Sequence, residues 1–506
     1  MNYEKYSLPW HKRFLKSILK LLKKLGSRFV SFFKSLFKGC ASIVKKIGEF
    51  FKNYFVNFIH SNWVTKVSYF LLGFGHLFRG QTTRGIIYLV LQVLFILCMA
   101  LFGGKYLGMF FQNFFTGGNI GITETFESDV WDDQLGEYVK VTGDNSFHII
   151  LYGILTLFII VFFLVVYFMQ VKESYELEQY KIINKKPDNI KKDISNLLDN
   201  KFHLTLLSLP MLGLFVFTIV PLVTMILIAF TNYDANHEVP QHLFQWVGFE
   251  NFINLFSSKS DLGATFWRVL VWTLMWAVLA TFTSYFGGML LAMLINKKGI
   301  KLKKLYRTMF VATIAVPQFV SLLIMSKMLD NQGFIGKMYF DIFGQNLNFG
   351  IDITSTRICI VLVNMWIGVP YSMLMCSGIL MNIPQELYES ARIDGASNIR
   401  RFFKITLPYM LFVTGPYLIT QFIGNINNFN VIFLLSGGGP GDNLLYTNGA
   451  KGTDLLITWL YKLSLGVDRD YKLASVIGIL VFIISAVFSL IVYNKSSAVK
   501  GEDNFQ

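Results

Sequence analysis

The sequence predicts an all-α integral membrane protein. Hydrophobic residues make up 53% of its 506 positions and charged residues only 15%, whereas a soluble domain of this length needs far more charge on its surface. Apolar runs of about twenty residues recur along the chain, the length that spans a bilayer. The basic residues cluster beside those runs, so the formal net charge of +15 reflects membrane topology and not nucleic-acid binding. The four cysteines, Cys40, Cys98, Cys359 and Cys376, lack metal-ligand spacing and read as packed thiols. No secretory signal is visible, so the first true span is expected to direct insertion.

Residues 1–63 form the first expected region. Between Tyr6 and Asn62, twelve basic positions from Lys12 to Lys52 alternate with Phe14, Ile18, Leu22, Leu25, Phe29, Phe32, Leu36 and Ile47. The apolar set recurs at three and four residues, which predicts a helix lying on the lipids of an anionic cytoplasmic leaflet. A basic tail without fixed structure is the alternative. The next region, 64–200, opens with Leu71–Gly80, LLGFGHLFRG. This glycine-spaced stretch is too short to span and is expected to form a tight hairpin at the membrane surface, with His76 a packing residue.

Eight spans are expected: Ile86–Phe102, Ile149–Phe168, Leu204–Phe230, Phe266–Ile295, Tyr306–Leu329, Ile358–Met381, Tyr409–Leu435 and Leu473–Tyr493. The first two belong to region 64–200, the last six to a core region 201–494, and residues 495–506 form a tail. Loop charge sets the orientation. The loop after the first span carries Glu124, Glu127, Asp129, Asp132, Asp133, Glu137 and Asp144 and is expected outside. The connection with Lys297, Lys298, Lys301, Lys303, Lys304 and Arg307 is expected inside. Both termini then fall in the cytoplasm.

Asn382 to Pro408 is a polar island between two apolar runs. Pro384 suits the first turn of a helix, Gln385 to Asp394 reads helical, and Gly395 sits where a C-terminal cap is wanted. Ser397 is placed to cap a second short helix, Asn398–Ile405, ended by Pro408. Together these predict a two-helix elbow on the cytoplasmic surface. Glu389-Ser390-Ala391, Gly395 four positions beyond Ala391, and Ile405-Thr406-Leu407-Pro408 resemble the EAA loop of ATP-binding-cassette importer permeases. Asp394-Gly395-Ala396 and Phe403 also fit, and Ser390 replaces the usual second alanine. The resemblance implies that Glu389, Ser390, Ala391, Asp394, Gly395 and Ala396 dock on a cytoplasmic ATPase subunit.

Energy for transport has no evident source within the chain. The third and seventh spans hold no Asp, Glu, Lys or Arg, which weighs against ion coupling. No phosphate-binding G-x-x-x-x-G-K-[ST] loop occurs, and Gly437-Gly438-Gly439-Pro440 reads as an outer turn. What the seventh span does hold is neutral polarity: Gln421, Gly424, Asn425, Asn427, Asn428 and Asn430. On a regular helix Gln421, Asn425 and Asn428 share one stripe. Amides both donate and accept, as the vicinal hydroxyls of a sugar require. Hydrogen bonding between helices is the other reading of the same residues.

The arrangement of eight spans with a core of six is similar to the larger permease subunit of maltose and maltodextrin importers, and Phe202–Asn494 carries that resemblance. It implies a type I importer fold and a sugar site formed by Gly368, Tyr371, Gln421, Gly424, Asn425, Asn428 and Asn430, with Asn364 nearby. Gly424 stands where the best-known member has a bulky aromatic, which implies a wider site or the loss of a stacking platform, and so a longer or different glycan. Pro370 is expected either to free a carbonyl for the ligand or merely to kink its span. The implied partners are a second, shorter permease subunit, two ATPase subunits that bind ATP and Mg, and an extracellular solute-binding protein. The chain itself is expected to hold no cofactor or metal and to catalyse nothing. Thr231–Thr265 is short where the best-known members carry a large outer domain. The implied cargo is a malto-oligosaccharide, with a galactoside or mixed-sugar oligosaccharide as the alternative. An ion-coupled transporter and a membrane-embedded enzyme are the rival classes.

Overall fold

The computed structural model describes residues 45–123, 126–132, 136–182, 198–238, 242–297, 299–466 and 469–493, with isolated positions 42, 192 and 195. Most of the basic N-terminal segment and the tail from 494 lie outside the described residues. The chain divides into two compact units, Met1–Lys105 with Thr156–Leu212, and Tyr106–Leu155 with Gly213–Gln506.

In the first unit, residues 45–60 are helical, as the amphipathic pattern predicts. Phe50, Phe51 and Tyr54 set their rings edge-on against Phe168, an arrangement aromatic quadrupoles favour. The Leu71–Gly80 stretch is the expected tight turn, built on the short helices Trp63–Ser68 and Phe74–Phe78. His76 is fully buried, its Nε2 3.3 Å from the Glu173 carboxylate, which also accepts from the Tyr88 hydroxyl at 2.9 Å. Arg79 donates to the Ser174 carbonyl at 2.7 Å and pairs with Glu178 at 3.4 Å. Each charge drawn into this core therefore meets a partner, as burial of charge requires.

Among the described residues, seven helices are long and apolar enough to cross a bilayer: Thr82–Phe111, Ser146–Tyr180, Phe202–Ile228, Asp261–Asn296, Ile353–Met381, Asn398–Ile426 and Tyr471–Leu490. A bent pair, Lys303–Ile314 and Gln318–Phe343, whose axes differ by 88°, makes an eighth if it is counted as one broken span. The expected count of eight thus holds only with one span broken. The fifth span was expected to run intact from Tyr306 to Leu329. Pro317 interrupts it: proline lacks the N–H a helix interior uses and drives the preceding residue to extended geometry. Pro317 instead caps the next helix, with ψ at 130°.

The seventh span also departs from the expected Tyr409–Leu435. Its helix ends at Ile426 and a separate one runs from Phe429 to Ser436. Asparagine side chains compete for backbone groups and so favour caps over helix interiors. Asn428 does this, accepting a hydrogen bond from the Val431 N–H at 3.2 Å. The acidic loop after the first span holds a hairpin, Phe126–Asp132 against Glu137–Thr142, a small strand addition to an otherwise helical chain.

The second unit is built around Asp261–Asn296, which packs along Ile353–Met381. The two backbones approach closely at Gly288, where an added Cβ would stand 2.4 Å from the Ser372 Cβ; small residues permit such contact between spans. Beyond the Phe429–Ser436 helix the chain turns through Gly437–Pro440. Buried Asp454 then holds Lys462 at 2.7 Å and accepts from the Thr458 hydroxyl at 2.9 Å.

Candidate functional site

A cavity of about 380 Å³ opens among four spans of the second unit, within the size range of small-molecule sites. Thr281, Ser284 and Tyr285 come from the fourth span, and Thr313, Gln318 and Ser321 from either side of the break in the fifth. The sixth contributes Asn364, Gly368, Tyr371 and Ser372, and the seventh Tyr417, Gln421, Asn425 and Asn428. No Asp, Glu, Lys, Arg or His lines it among the described residues. Tyr371 and Tyr417 stand face to face, their centroids 6.3 Å apart and their planes 27° from parallel. Neutral hydrogen-bonding groups beside aromatic rings suit a polyhydroxylated, uncharged ligand.

Five of the seven residues expected to bind sugar line this cavity: Gly368, Tyr371, Gln421, Asn425 and Asn428. Gly424 and Asn430 do not. A Cβ added at Gly424 would meet nothing within 4 Å, and Asn430, beyond the helix break, is exposed. The stripe expected of a regular helix exists only as far as Asn425, because the helix stops at Ile426. Asn428 stays beside it by donating from its side-chain amide to the Asn425 side-chain Oδ1 at 3.2 Å. Asn425 in turn donates to the Thr281 hydroxyl at 2.9 Å. The sixth span continues as helix through Pro370.

Thr281, Ser284, Gln318 and Ser321 are cavity residues the sequence reading missed. Pro317, set inside an apolar run, was the available signal for the fifth-span break. Thr281 and Ser284 lie three apart and so share one helix face.

The elbow forms largely as expected. Glu389, Ser390 and Ala391 lie on the helix Gln385–Ile393, Asp394 is its C-cap, and Pro384 sits one position earlier than expected, as the N-cap. Gly395 has φ of 72°, a left-handed geometry that costs any residue with a Cβ. The Ala396 N–H closes the turn on the Ala391 carbonyl at 2.9 Å. Ser397 caps the following segment, its hydroxyl oxygen accepting from the Arg400 N–H at 3.3 Å. That segment is not the separate Asn398–Ile405 helix expected. It passes through a widened π turn, Phe402–Thr406, into the seventh span. Such widening takes up local mismatch in a helix, here just before Pro408, which has no N–H to give. On the elbow's surface Ile393 is 87% and Ile399 72% exposed.

A neutral polar cavity among spans of the second unit and an exposed elbow, in a chain with seven candidate spans or eight if the bent pair is counted as one, define a membrane transport subunit. Residues 284–498 match the family model described as a binding-protein-dependent transport system inner membrane component. The maltodextrin transport system permease protein MdxF of Bacillus subtilis is 32% identical over 440 residues, covering 85% of this chain and 95% of that protein. The galactooligosaccharides transport system permease protein GanP of the same organism is 32% identical over 420 residues, covering 82% and 93%. The maltose/maltodextrin transport system permease protein MalF of Escherichia coli is 36% identical over 248 residues, covering 48% of each chain. The chain belongs to the permease family of binding-protein-dependent ABC transport systems.

Proposed function

We propose that this chain forms the translocation path of an ATP-driven importer for a neutral oligosaccharide, of the maltodextrin class. The observation that carries the reading is the cavity: amides, hydroxyls and two parallel tyrosine rings without a charged group. A uronate or phosphorylated sugar would find no counter-ion in this part of the wall. Gly368, Tyr371, Gln421, Asn425 and Asn428 serve as its sugar-facing residues, and Gly424 and Asn430 act outside the cavity described.

Coupling runs through the elbow. Glu389, Ser390, Ala391, Asp394, Gly395 and Ala396 dock in a groove of a cytoplasmic ATPase subunit, with both termini on the same side of the membrane. Two such ATPases bind ATP and Mg, a second permease subunit completes the path, and an extracellular binding protein delivers the sugar. Closure of the ATPase dimer shifts the population toward an outward-open cavity, so the permease needs no catalytic residue of its own. The apolar Ile393 and Ile399, exposed on a polar island, support docking there.

A galactooligosaccharide is the second reading, favoured by the equal identity to the galactooligosaccharide permease. The test is ATP hydrolysis by the co-expressed complex in vesicles, with binding protein empty, loaded with maltotriose or loaded with a galactotriose. Stimulation by maltotriose establishes the first reading, and stimulation by galactotriose alone establishes the second. Failure of any ATPase to co-purify overturns the coupling assignment.

A further inference from the structure

Charge is spread unevenly along the chain. Residues 1–62 hold thirteen Lys or Arg against two Glu, a net +11 of the chain's +15. Within the first unit, the described end of this segment, residues 45–60, is a helix with three distinct sides. One side packs inward: Phe50 and Tyr54 set their rings 5.1 Å and 5.6 Å from Phe168, and the Tyr54 hydroxyl meets that of Tyr167 at 2.6 Å. Lys172 is the first Lys, Arg, Asp or Glu after Asp144. Phe168 therefore lies one turn inside the end of the second span's uncharged run, which seats the helix at the edge of the hydrocarbon. The second side is apolar yet uncovered: Phe51, Phe55 and Ile59 recur every four residues, and Phe55 is 61% and Ile59 65% exposed. Just beyond the helix, exposed Trp63 sets its ring 5.8 Å from exposed Phe78. The third side is polar, with Asn53 about 160° around the axis from Phe55. Lys45, Lys46 and Lys52 are exposed, and no ion pair holds them among the described residues.

We propose that the helix 45–60 is a binding surface for anionic phospholipid headgroups, lying in the bilayer interface with Phe51, Phe55 and Ile59 among the acyl chains. Lys45 and Lys52 flank that stripe, about 80° and 60° from Phe55. Their methylene stems run along the acyl boundary while the ammonium groups reach the phosphates. Lys46, on the water side, adds attraction from within about a Debye length of the same surface. Two observations select lipid over a protein groove as the occupant. The uncovered stripe sits at the depth where the second span leaves the hydrocarbon, and the cation excess matches an anionic leaflet. That this leaflet is the cytoplasmic one rests on the orientation proposed above.

The experiment places the full co-expressed complex in nanodiscs of mixed phosphatidylcholine and phosphatidylglycerol. Both faces of a nanodisc carry the same lipids, so the result does not depend on the orientation. Spin labels are attached at Asn53→Cys, Phe55→Cys and Ile59→Cys in a chain whose native cysteines are replaced by alanine. Labels at positions 55 and 59 are expected to meet dissolved oxygen more than a water-soluble nickel chelate, and the label at 53 the reverse. The preference for spin-labelled phosphatidylglycerol over phosphatidylcholine is then compared between the unaltered chain and the combined Lys45→Gln, Lys46→Gln and Lys52→Gln variant. It should fall at least about twofold, while the combined arginine variant keeps the charge and should keep the preference. Equal chelate access at all three labels overturns the proposal by leaving the helix in water. Labels at 55 and 59 that meet neither reagent overturn it by placing a protein partner on the stripe. An unchanged lipid preference in the glutamine variant overturns the headgroup assignment.

Discussion

The Tyr388 hydroxyl lies 2.8 Å from the Thr406 hydroxyl, joining the first helix of the elbow to the π turn that opens the seventh span. Thr406 is buried, at 3% exposure, so this bond braces the elbow against the base of a cavity-lining span. Tyr388→Phe is expected to lower the sugar transported per ATP hydrolysed, measured by simultaneous uptake and phosphate release in proteoliposomes. Replacing both partners leaves no unpaired group. Thermal unfolding of Tyr388→Phe, Thr406→Val and the double variant is therefore expected to give a coupling energy of about 1 kcal/mol.

Gly395 should tolerate little. Its φ of 72° makes Gly395→Ala cost about 1–2 kcal/mol. Gly395→Pro is worse, since proline fixes φ near −65° and removes the N–H that bonds the Arg392 carbonyl at 3.1 Å. Glu389→Lys alters only an exposed charge. Both Gly395→Pro and Glu389→Lys are expected to abolish sugar-stimulated ATP hydrolysis while the chain still reaches the membrane. Undiminished stimulation in Glu389→Lys would count against ATPase docking at this helix.

The amide chain of the seventh span separates cap from ligand. Asn428→Ala removes the Val431 cap and is expected to destabilise the protein by about 1 kcal/mol, whereas Asn428→Ser retains a capping oxygen and should preserve the melting temperature. Uptake of labelled sugar is expected to fall in both, because each loses the bond to Asn425. The combined Asn425→Ala and Asn428→Ala change should remove uptake altogether.

Outside the spans, Asp234 accepts from Lys472 at 2.6 Å and from His237 at 2.7 Å. Burial works to raise its pKa, but the hydrogen bonds and charge of Lys472 and His237 outweigh it and hold the carboxyl below its ordinary value. A depressed folded pKa gives stability that is complete above the unfolded carboxylate pKa of about 3.9 and is lost as pH falls through the folded value. Thermal unfolding followed from pH 7 to pH 3 should therefore show a loss confined to the acid end. Asp234→Asn should melt earlier at pH 7 and show a shallower acid limb.

Number and order of crossings were legible because each run of apolar residues must satisfy its backbone internally, and length and composition alone reveal that. The elbow was legible because Pro384, Gly395 and Ser397 each punctuate the backbone locally. The breaks were not. Pro210, Pro370 and Pro416 lie inside helices that continue, whereas Pro317 ends one, and apolar composition looks the same on either side of all four. Thr281 was missed for a different reason. Its partner Asn425 is 144 positions away, and periodicity within one helix carries no information about its neighbour. The asparagines were read as a stripe, yet their affinity for backbone groups ended the helix that would have made one.

A wall without fixed charge has an electrical consequence. Moving one elementary charge across a membrane potential is worth about 2.3 kcal/mol per 100 mV. Thr281, Asn364, Gln421 and their neighbours carry none, and an uncharged sugar adds none. The voltage across the cell membrane thus does no work on the cargo as it passes this wall, in either direction.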